Sequence, residues 1–210
     1  MNSNLTELIF ILDKSGSMTD KKADVIGGFN SFLEKQKIIP GEMNTTIVFF
    51  DSYGNNILYA DRIPISNIKL LDDKSYTPCG MTALLDAIGQ TITSIGKKLL
   101  EEAEEKRPSK VLMVIMTDGE ENDSREYRKE QIKNMLEHQQ NVYKWEIQFL
   151  GANIDSFGEA GKIGIARNVA SYQQSSVAYA ATFNNLADAT TQFRSGKPYA
   201  LNTTGMDKKD

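Results

Sequence analysis

This chain of 210 residues has one cysteine and one histidine, and no apolar run near the ~20 residues needed to cross a bilayer. A single thiol, Cys79, cannot close an internal disulfide, and one thiol with one imidazole cannot build a Cys/His zinc site. Any Ser-His-Asp or Cys-His arrangement would have to use His138, which lies in the polar stretch Glu137-His138-Gln139-Gln140, far from a recognisable nucleophile. No G-x-G-x-x-G or Walker pattern is present, and Gly151-Ala152-Asn153 is only superficially like a phosphate-binding turn, so no nucleotide is expected. A net charge of −4 gives no electrostatic reason to expect nucleic acid or an anionic membrane as partner. The N-terminus reaches its first apolar run without a basic region or cleavage site, which sets the expectation of an intracellular, cytoplasmic protein.

There is no internal repeat and no linker long enough to separate two domains. With 40% apolar and 25% charged residues, the expectation is one soluble domain over 1–195 and a polar tail over 196–210, burying about 70% of its unfolded surface. Strand and helix signals alternate along it. Leu8–Leu12 and Val111–Met116 are unbroken apolar runs of the kind buried on both faces of a parallel sheet. Thr45–Phe50, Trp145–Leu150 and Val169–Tyr172 are further strands, and Ile57–Ile63 before Pro64 suits an antiparallel edge strand. Helical spacing covers the regions near Lys22–Lys37, from Thr82 towards Lys106, near Arg125–Gln140, a short segment capped by Asp155, and Ser176–Phe193. The pattern predicts an α/β fold: a doubly wound sheet of five or six parallel strands, one antiparallel edge strand, and helices on both faces.

Three distant segments place oxygen-bearing side chains just beyond apolar runs: Asp13-Lys14-Ser15-Gly16-Ser17-Met18, Gly80-Met81-Thr82 and Thr117-Asp118-Gly119. Loops after parallel strands open at the carboxyl edge of the sheet, where doubly wound folds bind ligands. In a locally extended loop Asp13, Ser15 and Ser17 project to one side, and Gly16 lets the backbone turn tightly. With Thr82 and Asp118 they make an all-oxygen set, which suits Mg²⁺, Mn²⁺ or Ca²⁺ over zinc or copper.

In these segments the chain resembles the von Willebrand factor A (VWA) domain and its metal-ion-dependent adhesion site. That family's motif is D-x-S-x-S, then a distant Thr, then a distant Asp ahead of Gly, and Asp13, Ser15, Ser17, Thr82 and Asp118 match it position by position. The resemblance extends over nearly the whole chain. It implies direct coordination by Ser15 and Ser17, direct or water-mediated coordination by Thr82, and support mainly through water from Asp13 and Asp118. It further implies an open coordination position for an Asp or Glu carboxylate of a partner protein, and hence recognition and not catalysis. A stand-alone member of this kind is expected to be an adaptor or assembly factor, of bacterial or phage origin.

Two rival metal readings are weaker. An EF-hand would use Asp13, Ser15, Ser17, Thr19 and Asp24, but Met18 stands where that loop needs Gly, Asp24 where it prefers Glu, and a strand precedes it instead of a helix. A metal-dependent phosphoesterase would draw on Asp118, Glu120, Glu121 and Asp123, or use Asp13 as a nucleophile. The first loop, with one carboxylate and two serines, is poor in carboxylates for two-metal hydrolysis. Cys79, three residues before Thr82, is expected to be a packed loop residue.

Overall fold

The structure is a computed structural model that describes residues 1–52, 57–152, 155–165, 167–173 and 175–198. Its strands are β1 (Asn2–Asp13), β2 (Glu42–Phe50), β3 (Ile57–Pro64), β4 (Pro108–Thr117), β5 (Glu146–Ala152) and β6 (Val169–Tyr172), forming one sheet in the order β3-β2-β1-β4-β5-β6. All pairs are parallel except β2 with β3, which is antiparallel at the edge. The doubly wound sheet expected from the sequence is present, with five parallel strands and one antiparallel edge. Helices α1 (Lys22–Lys37), α2 (Leu84–Glu101), α3 (Lys129–Asn141), α4 (Ser156–Lys162) and α5 (Ser176–Arg194) cover it.

The apolar runs work as two-faced strands. Leu8, Phe10 and Leu12 of β1 pack with α1 and α5, while Ile9 and Ile11 face α2 and α3, and all five are fully buried. β1 pairs with β2 on one side and β4 on the other, so the chain winds away from it in both directions. The carboxyl ends of β1 and β4 therefore flank the topological switch point of the sheet, where open α/β folds hold ligands.

Several boundaries differ from the sequence expectation, β2 and β4 starting earlier at Glu42 and Pro108, and three others have a visible cause. β1 starts at Asn2, where a register shift lets it also pair with Pro108 of β4. α2 ends at Glu101, because Glu102 turns extended and the Arg107 guanidinium donates to the carbonyls of Leu100 and Glu102, taking up acceptors left open at a helix end. α3 starts at Lys129: the Asp86 carboxylate accepts the backbone N–H groups of Arg125, Glu126 and Tyr127 and holds them in the preceding loop. Of the expected tail, Gly196–Pro198 follow α5 and the rest lies outside the described residues, as do Tyr53–Asn56 of the expected turn and Asn153.

α1 and α5 approach closely. Gln36 Nε2 donates to Ala187 O at 2.9 Å, and the buried Arg194 donates to the carbonyls of Gln36, Ile39 and Gly41, closing the end of α1. A Cβ on Gly28 would come within 2.1 Å of the Phe183 ring, whereas one on neighbouring Gly27 would meet nothing within 4 Å. The two glycines should therefore respond oppositely to alanine. In urea unfolding, Gly28→Ala should cost about 1–3 kcal/mol through overpacking, and Gly27→Ala should gain about 0.5–1 kcal/mol from helix entropy. A neutral Gly28→Ala would show that the α1–α5 contact is loose.

Candidate metal centre

Asp13 ends β1 with its side chain fully buried at the switch point. One carboxylate oxygen accepts the Ser15 N–H at 2.7 Å and the other accepts the Thr117 hydroxyl at 2.6 Å. The first contact bends the chain straight after the strand, and the second ties β1 to β4. Burial pushes the Asp13 carboxyl up to about 6, although the hydrogen bonds from Thr117 and Ser15 favour its charged form, and nearby Asp118 adds to the rise.

Beyond Asp13 the loop is anchored on every side. Lys14 N–H donates to Phe50 O, Gly16 N–H to Gly80 O at 2.9 Å, and Cys79 N–H to Lys14 O. The Lys14 ammonium is buried in an ion pair with Asp51 at 2.6 Å; burial pulls its pKa down, but the Asp51 contact outweighs that and raises it. Gly80 adopts φ +73°, which favours glycine, and a Cβ on Gly16 would sit 3.2 Å from the Gly80 carbonyl. Met18, fully buried, plugs the loop into the core, and the Tyr76 hydroxyl donates to Asp13 O at 2.5 Å.

Ser15, Ser17 and Asp118 then form a chain of oxygens. The Ser15 and Ser17 hydroxyls lie 3.0 Å apart, and Ser17 donates to Asp118 Oδ1 at 2.5 Å. A hydroxyl that gives its proton to a carboxylate turns its lone pairs the other way, available to a cation. The 3.0 Å spacing is close to the edge of a coordination octahedron, about 2.8–3.0 Å for oxygen ligands at the 2.0–2.1 Å of Mg²⁺. Thr82 joins from the second loop. Its N–H donates to Asn122 Oδ1 at 2.9 Å and its carbonyl accepts from Asn122 N–H, while its hydroxyl makes no hydrogen bond to a described residue. A Cβ on Gly119 would fall 3.0 Å from Thr82 Oγ1 and 3.9 Å from Ser17 Oγ, so glycine keeps the space between these hydroxyls open. The structure thus brings all five sequence-predicted residues to one edge, and the donor set fits a small divalent cation held by neutral hydroxyls with carboxylates behind them.

Three participants were not foreseen. Thr117 follows from strand register: Leu12 pairs with Met116, so the next position faces Asp13. Lys14 occupies the variable position of D-x-S-x-S. Lys21 donates to Ser17 O at 2.7 Å and to Asp118 Oδ2 at 3.2 Å, brought there by a 3₁₀ turn over Gly16–Lys21 that helical spacing does not reveal. Cys79 is exposed, contrary to expectation, with Sγ 3.4 Å from Lys14 Nζ. His138 lies at the opposite, amino end of the sheet, 5.4 Å from the Tyr143 ring on a groove of about 250 Å³ with Trp145 and Leu100. The acidic loop is turned inward: Glu121 accepts the N–H groups of Leu85, Asp123 and Ser124. Among the described residues no group of three His, Cys, Asp or Glu side chains could hold a metal.

Two solution tests follow from this geometry. A dication favours the Asp13 carboxylate, so loading below about pH 6 must expel a proton. Mn²⁺ affinity should be flat above about pH 7 and fall by up to tenfold per unit below about pH 6, and Asp13→Asn should bind more weakly without that slope. An affinity independent of pH from about 5 to 8 would contradict this account of Asp13. Because the core and not the loop cluster carries the buried apolar area, adding EDTA should leave the far-UV helix signal intact and lower stability, read as a drop in Tm, only by the binding linkage, about 2.7 kcal/mol at a hundredfold excess of metal over its Kd.

No family model matches the chain, and no curated protein matches it. Solved structures do. A structure of proximal thread matrix protein 1 (PTMP1) from the mussel byssus, with a zinc-occupied MIDAS motif, aligns with TM-score 0.62 and 15% identity, covering 89% of this chain and 46% of that one. The von Willebrand factor type A protein from Catenulispora acidiphila aligns with TM-score 0.56 and 14% identity, over 89% and 42% of the two chains. The vWF domain of the type V pili tip protein Mfa5 from Porphyromonas gingivalis aligns with TM-score 0.62 and 10% identity, over 88% and 94%. The chain thus spans about half the length of PTMP1 and nearly all of the Mfa5 domain. At such low identity the likeness concerns architecture, and the fold of this chain is the von Willebrand factor A fold.

Proposed function

We propose that the chain is a divalent-cation-dependent protein-binding module, an adaptor or assembly domain, that captures an Asp or Glu carboxylate of its partner. Ser15, Ser17 and Thr82 would hold the ion, with Asp13 and Asp118 supporting it. The observation that carries this reading is the Ser15–Ser17–Asp118 chain, in which the Ser17 proton is spent on a carboxylate and hydroxyl lone pairs are left for a cation. A bound dication would supply a Lewis-acidic position for a carboxylate oxygen. The protein's own part is to keep Asp13 and Asp118 turned away behind the hydroxyls, so that positive charge is left over for an external anion. Met81, half exposed on the loop that carries Thr82, offers an adaptable apolar contact beside that position. The zinc-occupied motif of PTMP1 and the pilus-tip setting of Mfa5 support a metal-binding, protein-contacting role. That zinc also widens the candidate ions beyond Mg²⁺, Mn²⁺ and Ca²⁺. The phosphoesterase alternative gains nothing from Glu121 and Asp123, which serve the loop's own hydrogen bonds and an ion pair with Arg125. An intracellular setting remains part of this proposal and rests on the single cysteine.

The test is partner capture from the native cell in Mg²⁺ and in EDTA, followed by calorimetric titration of the purified partner. Removing one member of a desolvated charge pair typically costs ~2–5 kcal/mol, so Asp13→Ala and Ser15→Ala should each weaken binding about thirty-fold to a few thousand-fold. His138→Ala should leave it unchanged. Binding that ignores EDTA and survives Asp13→Ala would place the partner elsewhere on the surface.

A further inference from the structure

We propose that Lys21 is a tethered counter-cation that holds down divalent-ion affinity, so that the ion is retained firmly only when a partner carboxylate completes the site. This rests on the metal-dependent reading above. Lys21 closes the 3₁₀ turn that begins at Gly16, and its ammonium reaches back over the loop to Ser17 O at 2.7 Å and Asp118 Oδ2 at 3.2 Å. The Lys21 side chain is 16% exposed and that of Asp118 is fully buried, so this contact is shielded from the screening that weakens surface pairs. Both Asp118 oxygens are thereby engaged, one by the Ser17 hydroxyl and the other by Lys21. The neighbouring lysines are committed elsewhere: Lys14 to Asp51 and Lys22 to Asp73.

The consequence is a matter of charge. Asp13 and Asp118 alone would balance a dication. With the Lys21 ammonium against Asp118, loading leaves one surplus positive charge beside two buried carboxylates. That surplus repels the ion and attracts an anion, which couples ion retention to carboxylate binding; by linkage each must strengthen the other equally.

The experiment compares Mn²⁺ binding, read from the electron paramagnetic resonance of free Mn²⁺, in the wild type, Lys21→Met, Lys21→Gln and Lys21→Arg, each checked for fold by far-UV circular dichroism. Removing a unit charge at this range should tighten Mn²⁺ binding by about ten- to a hundredfold in the Met and Gln variants, while Lys21→Arg stays near the wild type. Added acetate should tighten Mn²⁺ binding in the wild type more than in Lys21→Met. Lys21→Gln keeps a donor for Ser17 O and serves as the reading if the Met variant unfolds. Unchanged or weaker binding in the neutral variants overturns the proposal and makes Lys21 a mere prop for Asp118. A wild type that binds no Mn²⁺ overturns the metal reading itself, a result distinct from the first.

Discussion

The fully buried Asp13 carboxylate, gripped by the Ser15 N–H and the Thr117 hydroxyl, is the contact on which the site depends. A charged carboxylate at the end of a central strand is costly unless each oxygen has a donor, and here each does. Meeting that demand fixes the geometry. The Ser15 N–H must turn back towards Asp13, which starts the loop, and Thr117 must end β4 beside it, which sets where Asp118 emerges. The same burial keeps the carboxyl poised for protonation near pH 6, so the group that organises the loops also makes them sensitive to charge.

Around that contact the loops form a mesh that leaves little freedom. The Lys14–Asp51 pair joins the first loop to the end of β2, and the Gly16–Gly80 hydrogen bond joins it to the second. Breaking a buried ion pair on one side leaves an uncompensated charge, typically at a cost of about 3–5 kcal/mol, whereas the intact pair adds little net stability. Its value here is positional: it keeps Lys14 out of the oxygen cluster and the cluster's charge balance in the hands of Asp13, Asp118 and Lys21. The second and third loops are held in turn by Thr82 and Glu121, whose partners are mostly backbone amides.

What was legible in the sequence was whatever has a period or a spacing. Leu8–Leu12 and Val111–Met116 announce two-faced strands because both faces must be apolar, and Asp13, Ser15, Ser17 and Asp118 stand out because they follow such runs, whereas Thr82, in the loop after Pro78, is picked out only by its place in the motif. What escaped depends on register and on long side chains. Thr117 becomes a partner of Asp13 only once Leu12 is known to face Met116. Lys21 reads as a solvated lysine until the 3₁₀ turn folds it over Asp118. The ends of α2 and α3 moved for the same reason: Arg107 and Asp86 reach backbone groups several residues to some forty residues away, and nothing in local propensity reports that. Cys79 was expected to pack and is exposed, its thiol lying against the buried Lys14 and Asp51.

The low identity to the structural neighbours, 10–15%, follows from how little this architecture asks of its residues. The sheet needs apolar runs of suitable length, and at the edge of this chain glycine stands where a Cβ would intrude on the hydroxyls, as at Gly119. The remaining surface is free to diverge without loss of fold. On the proposed function this divides the work between two sets of residues. An ion at the hydroxyl cluster would attract carboxylates in general, and Lys21 would set how firmly the ion waits for one. Discrimination between partners then falls to the exposed rim of the same loops, where Met81, Cys79, Glu120 and Asn122 stand around the cluster. A difference in affinity between two carboxylate-bearing partners has to arise from such contacts, because the ion itself sees the same two oxygens in both.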